Sequence, residues 1–207
     1  MTLLVIAPTL LVVNPALPAA TLKELIALAK RRPGQLEFAS AGTGSSAHML
    51  GETFKSLAKI DIVQIPYKGG APAIVGTISG EAQMMADPAA SVLPHVKSGR
   101  LRPLAIARAA RLPDLPQVPT FAEAGMPDFE VGTWNVVMAP LGTPKPIVER
   151  LNAALNETLR DPGIRERLIK LGITPVDDST PASTGATITR EIAKWAKAFE
   201  LAGGKPE

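Results

Sequence analysis

Phe38-Ala39-Ser40-Ala41-Gly42-Thr43-Gly44-Ser45-Ser46-Ala47-His48-Met49-Leu50 is the stretch whose reading decides the fold. It reads as a strand end, a turn of small residues and a helix start. Gln35-Leu36-Glu37-Phe38 supplies the strand run, and two glycines let the backbone bend where a side chain would clash. Ser45 or Ser46 is placed to cap a helix carrying Leu50, Phe54, Leu57 and Ala58 on one face. Such a start points several unpaired N–H groups and a partial positive charge at one spot. That spot suits a carboxylate or a phosphate.

Outward from this stretch the chain alternates. Thr21 with Glu24 matches a capping box, and Leu22, Leu25, Ile26, Leu28 and Ala29 predict a helix ending before Pro33-Gly34. Beyond the central helix come a strand at Ile62-Val63-Gln64-Ile65, the loop Pro66-Tyr67-Lys68-Gly69-Gly70 and a helix over 71–79. The pattern then repeats as a strand over 82–86, a loop Asp87-Pro88-Ala89-Ala90, a short helix through His95 and a strand over 101–107. Strands alternating with helices predict a parallel sheet with right-handed crossovers. The loops at the carboxyl ends of its strands share one edge, where ligands usually bind. Ser40 to Ser46, Pro66 to Gly70 and Asp87 to Ser91 fall there, small in composition and nearly uncharged apart from Lys68 and Asp87. Backbone amides therefore supply most of the expected contacts.

The two ends read differently. Leu3 to Val13 is apolar but too short for the roughly 20 residues that span a bilayer, and Met1-Thr2 carries no basic side chain of a signal peptide. A buried strand, Leu10-Leu11-Val12-Val13, is the simpler expectation. Past Ala107 the prolines predict an extended connection, then a strand over 129–139. Thr143 as cap with Pro144 at the first position opens a helix with Ile147, Leu151, Leu155 and Leu159 on one stripe. Asp161-Pro162 opens another, and 185–202 is the last, with Ile188, Ile192, Trp195 and Phe199 on one face; Trp195 and Phe199 read as core. One strand is too little sheet for three such helices, so self-association through an exposed apolar patch is expected.

Composition excludes more than it selects. The 207 residues are 46% hydrophobic and 20% charged, within the ordinary range for a globular domain. The net charge of +3 is scattered and aromatics are scarce, which argues against nucleic-acid binding. There is no cysteine, so disulfides and thiol chemistry are excluded. His48 and His95 are the only histidines and have no carboxylate pair at ligand spacing, so no metal site is expected.

Five stretches then resemble one family in its own order. They are the 38–48 run, Pro66-Tyr67-Lys68-Gly69, Pro94-His95-Val96-Lys97-Ser98-Gly99, Leu115-Pro116-Gln117-Val118-Pro119-Thr120 and Ala139-Pro140-Leu141-Gly142-Thr143-Pro144-Lys145-Pro146. The chain resembles the Bug or TctC-type solute-binding proteins of tripartite tricarboxylate transporters. The resemblance implies an α/β, two-lobe, type II periplasmic-binding-protein architecture with parallel-rich sheets. It implies lobe II at 14–128, the C-terminal part of lobe I at 129–207, and a strand or hinge remnant of lobe I at 1–13. The family pattern carries further residues before Leu10, among them a signal peptide, the first strands of lobe I and a Pro-Ala-Gly-Gly-like loop; lobe I is incomplete without them. Implied too are a periplasmic location, a small carboxylate ligand, a membrane permease as partner and no cofactor. The expected site is Ser40, Ala41, Gly42, Thr43, Gly44, Ser45 and Ser46, with Tyr67, Lys68, Gly69 and Asp87 shaping the remainder.

Two enzyme readings compete. Gly42-Thr43-Gly44-Ser45-Ser46-Ala47 fits the G-x-G-x-x-A fingerprint of a Rossmann-like enzyme with a nucleotide cofactor, but its acidic partner, Asp61, falls at the start of the next strand. Ser45, His48 and Asp87 form a nominal hydrolytic triad without the G-x-S-x-G elbow. Capping by Ser45 and by Asp87 are the structural counter-readings.

Overall fold

A computed structural model describes residues 1–127, 129 and 132–201. In chain order the elements are β1 (Thr2–Val13), α1 (Leu22–Arg31), β2 (Glu37–Ser40), α2 (Ser46–Ala58), β3 (Val63–Pro66), α3 (Gly70–Ser79), β4 (Met84–Pro88), α4 (Ala89–Lys97) and β5 (Arg102–Ala107). There follow β6 (Gly132–Val137), α5 (Lys145–Arg160), α6 (Pro162–Lys170), β7 (Thr174–Pro175) and α7 (Pro181–Leu201). The expected boundary at Asp128 and the end of the last helix at Ala202 lie outside the described residues.

The apolar N-terminal run becomes a strand of 12 residues, well beyond the Leu10 to Val13 expected. Thr9–Val13 pairs antiparallel with β4 on one side and β5 on the other. Thr2–Pro8 pairs antiparallel with β6, and Val5-Ile6 with β7. Pro8 sits where the strand exchanges one set of partners for the other, aligned with Gly132, so its missing N–H falls between two ladders. Leu11 and Val13 enter the core under α1 and α2, while Leu10 and Val12 enter the core under α3 and α4. Burial on both faces explains why the run is continuous rather than alternating.

The sheet order is β3-β2-β4-β1-β5. β2 runs parallel to β3 and β4, as the alternation predicts. The expectation of parallel pairing fails at β1, which is antiparallel to both neighbours. Leu10 to Val13 is buried on both faces, and apolar run length carries no information on direction.

α1 is capped by Thr21 as predicted, Thr21 Oγ1 accepting from Glu24 N, while Glu24 Oε2 reaches back to Ala20 N, one residue before the cap N–H that a capping box engages. α2 is drawn tightly onto β2, because a Cβ on Gly51 would lie 3.0 Å from Phe38 Cδ1 and closer still to the Gln64 amide. Phe54 on its buried face meets Phe121 and Phe129 edge-on, with ring centroids 6.5 and 6.1 Å away. These contacts fix where the first turn of α2 points.

The C-terminal third corrects several expectations. The sequence does not announce β7, which is two residues long. With β1 and β6 it forms the sheet that α5 and α7 cover, so the helices do not rest on one strand. α5 is rotated from its predicted register: Asn152, Asn156 and Leu159 are buried, whereas Ile147 and Leu151 are half exposed. The reason is polar. Asn152 Nδ2 donates to Thr2 Oγ1 and Ser179 O, and Asn156 Nδ2 donates to Ser179 O. Ser179 Oγ donates to Leu3 O and Thr184 Oγ1 accepts from Leu3 N, completing a strand edge that β7 is too short to reach. Thr143 does not cap α5; its hydroxyl donates to Pro140 O, and Pro144 stands at the cap. Asp161 caps α6 through Ile164 N. In α7, Trp195 packs against the core, but Phe199 and Ile192 are exposed, so the expected stripe is only partly buried. Among the described residues no helix is long and apolar enough to cross a membrane.

Candidate functional site

The three anticipated segments meet at one edge, the third as the end of β4 and the start of α4. Tyr67 N donates to Ser40 O across the ends of β2 and β3, at 2.9 Å. A Cβ on Gly42 would lie 3.3 Å from Tyr67 O, and one on Gly70 would lie 3.5 Å from Asp87 Oδ1. Ser40, Gly42, Tyr67, Gly70 and Asp87 therefore form a connected rim.

The turn before α2 depends on its glycines. Gly42 and Gly44 have φ of 119° and 79°, a region that β-branched residues avoid. Ser45 is the N-cap: its Oγ accepts from His48 N at 3.2 Å, and its own N donates to Gly42 O. The amides of Ser46 and Ala47 find no acceptor among the described residues. Ser40 Oγ is wholly buried at the end of β2 and has no hydrogen-bond partner there either. A buried hydroxyl without a partner is costly unless something else supplies one. Free amides, a helix positive end and this hydroxyl together make a receptor for an anion.

Two predicted residues behave differently from expectation. The Tyr67 side chain is turned away from the rim onto Gly76 of α3, leaving only its backbone at the edge. Asp87 is not in a loop: β4 continues through Pro88 and α4 begins at Ala89. Its carboxyl is nearly buried, and burial raises its pKa to about 6 despite the Ser91 hydroxyl, which favours the ionised form. Lys68 is exposed at the loop surface, with no carboxylate partner among the described residues.

Sequence reading missed the far wall. Thr9, Gly132, Thr133 and Trp195 face Ser46, Ala47 and Asp87 across a recess of about 10 Å³. Glu191 holds that wall together, its Oε2 accepting from the indole N–H groups of Trp134 and Trp195 at 3.1 and 3.2 Å. Nothing in the local sequence announced this; only the long β1 brings β6 and α7 to the rim.

The enzyme readings lose their geometry. Ser45 Oγ is engaged as a cap, and His48 Nδ1 accepts from Gly44 N rather than facing a nucleophile. Asp61 lies beside Gly34 and Lys55, at the opposite end of the sheet from the glycine turn.

The chain is similar to known proteins in both sequence and fold. The family model TctC, tripartite tricarboxylate transporter family receptor, matches residues 1–203. Protein BugT of Bordetella pertussis is 41% identical over 198 residues, covering 96% of this chain and 60% of BugT. The solved structure described as R. palustris Rpa4515 with adipate is 33% identical with a TM-score of 0.90, covering all of this chain and 69% of that one. MatC from Rhodopseudomonas palustris with bound malate is 32% identical with a TM-score of 0.83, covering 95% of this chain and 67% of that one. The chain spans less than two thirds of the length of the first curated relatives it matches. The family is one of solute receptors rather than enzymes, and this chain belongs to it: the tripartite tricarboxylate transporter receptor family, TctC.

Proposed function

We propose that the chain captures a small carboxylate at the first turn of α2 and presents it, outside the cytoplasmic membrane, to a transporter permease. The observation that carries this reading is Ser40: a wholly buried, unpartnered hydroxyl at the end of β2, on the strand that leads through the glycine turn to the free amides of Ser46 and Ala47. Ser40 and the backbone of Ala41 to Ser46 hold one carboxylate, while Tyr67 to Gly69 and Asp87 bound the rest of the ligand. Adipate and malate, carried by two structural neighbours, belong to the same chemical class. The present recess has room for about one water. Entry therefore requires β6 and α7 to move away from α2 and β4, with β1 as the hinge between residues 14–128 and the C-terminal part. Closure on ligand then changes the surface offered to the permease. The exposed apolar residues Ile147, Leu151, Ile192 and Phe199 favour self-association as a second property, read by light scattering.

The test is calorimetric titration and thermal shift with succinate, glutarate and adipate, set against NAD. Ligand at a hundredfold above its Kd stabilises by about 2.7 kcal/mol. A response to a dicarboxylate and none to NAD is expected; the reverse overturns the reading.

A further inference from the structure

Asp87 is, among the described residues, the one ionisable group lining the recess. The recess brings Asp87 at the end of β4 together with Ser46 and Ala47 at the start of α2. The carboxyl thus stands within the length of a small diacid from the α2 turn. Around it are Thr9 of β1, Ser46 of α2, Gly70 of α3, Ser91 of α4, Thr133 of β6 and Trp195 of α7, none of them ionisable in the ordinary pH range.

Among the described residues no other charged group of those elements lines the recess. His48 on α2 is bonded to Gly44, Lys68 lies in the loop before α3, and Glu191 on α7 pairs with Lys194 at 3.2 Å. Glu37 lies at the far end of β2, and His95 and Lys97 at the far end of α4. Among the described residues no cation pairs with Asp87, and burial holds its pKa up at about 6. A diacid anchored at α2 would bring its second carboxylate against this one. Two ionised carboxylates in a closed site repel, whereas one shared proton turns the repulsion into a strong hydrogen bond.

We propose that Asp87 in its protonated form donates to the second carboxylate of the bound ligand, so that the site selects dicarboxylates and holds them more tightly in mildly acid solution. This rests on the carboxylate-receptor reading above.

The experiment titrates the whole chain calorimetrically at pH 5 and pH 7 with succinate, glutarate and adipate, and with monocarboxylates of equal length. It adds the sulfonate–carboxylate analogue of the tightest diacid, whose sulfonate stays ionised at both pH values and whose remaining carboxyl, with an ordinary pKa of about 4, is mostly ionised at both. For a proton bound with pKa near 6, wild-type affinity for the analogue falls about tenfold from pH 5 to pH 7. Titration at pH 7 in two buffers of different ionisation enthalpy shows proton uptake approaching one per ligand. Asp87→Asn, whose amide is a permanent donor, keeps the pH 5 affinity at both pH values.

Equal affinity at both pH values, tighter binding at pH 7, or monocarboxylates binding as well as diacids overturns the role of Asp87 and leaves the receptor reading standing. Absence of binding by every carboxylate at both pH values overturns the receptor reading itself. If Asp87→Asn does not fold, proton uptake by the wild-type chain decides alone.

Discussion

The hydroxyl of Tyr67 lies against Gly76, so closely that a Cβ there would overlap the phenol oxygen. The β3–α3 loop is thus pinned to its own helix by the lack of a side chain. In an open helix, Gly→Ala gains about 1 kcal/mol. Here Gly76→Ala must displace a rigid ring, and the expected net effect is a loss of about 1–3 kcal/mol in urea denaturation. Affinity falls too, because the moved ring carries the Tyr67–Gly69 backbone with it. A stabilised variant would contradict this account.

Gly42→Val combined with Gly44→Val removes carboxylate binding. Each forces a β-branched residue to positive φ, and the Cβ added at Gly42 also meets Tyr67 O at 3.3 Å. Circular dichroism checks the fold and calorimetry the binding. Retained affinity in a folded variant takes this turn out of the site.

Ser40→Ala separates affinity from stability. The hydroxyl has no partner among the described residues, so its loss costs the free protein little, or stabilises it. Loss of a hydrogen bond to a charged ligand costs about 1.5–3 kcal/mol of affinity, or roughly 10- to 150-fold. Destabilisation with unchanged affinity would assign Ser40 to packing.

Asp87 makes stability depend on pH with a definite sign. Its folded-state pKa, about 6, stands above the ordinary 3.8, so the folded chain holds the proton more tightly. Its contribution is full below about pH 4 and is lost as pH rises through 6, by up to about 3 kcal/mol. Asp87→Asn therefore gains on wild type between pH 4 and pH 7 in urea denaturation without ligand. A constant difference across that range contradicts the assignment.

Thr184→Val tests the polar seam at the start of β1. It leaves the buried Leu3 N–H without its acceptor at 3.0 Å, at an expected cost of about 1–3 kcal/mol. Thr184→Ser keeps the oxygen and retains most of the stability. Equal losses in both variants would point to packing instead.

Local signals carried well in this sequence. The Thr21 cap of α1, the Ser45 cap of α2 and the glycine turn each need only a few neighbouring residues, and all stand where their spacing placed them. Pairing direction was not local. Leu10 to Val13 reads as buried from either orientation, and its antiparallel partners, from Met84 to Ile106, lie far along the chain. The register of α5 was misleading for a chemical reason. Ile147 and Leu151 are the more apolar residues, yet the Thr2 hydroxyl and the Ser179 carbonyl beneath need amide donors, and Asn152 and Asn156 supply them. The rim of the candidate site was legible because it is made of backbone. Its far wall was not, since Thr133, Glu191 and Trp195 reach it only through tertiary packing.

β1 is the shared middle strand of two ladders, changing partners at Pro8 and Thr9. The ladders use different stretches of it, Thr2–Pro8 and Thr9–Val13, so the pairing with β6 and β7 can be lost while β4 and β5 keep theirs. Unfolding of a 207-residue chain built this way is expected in more than one step. The indoles of Trp134 and Trp195 then report the loss of the C-terminal pairing, and the lone tyrosine, Tyr67, reports the other part.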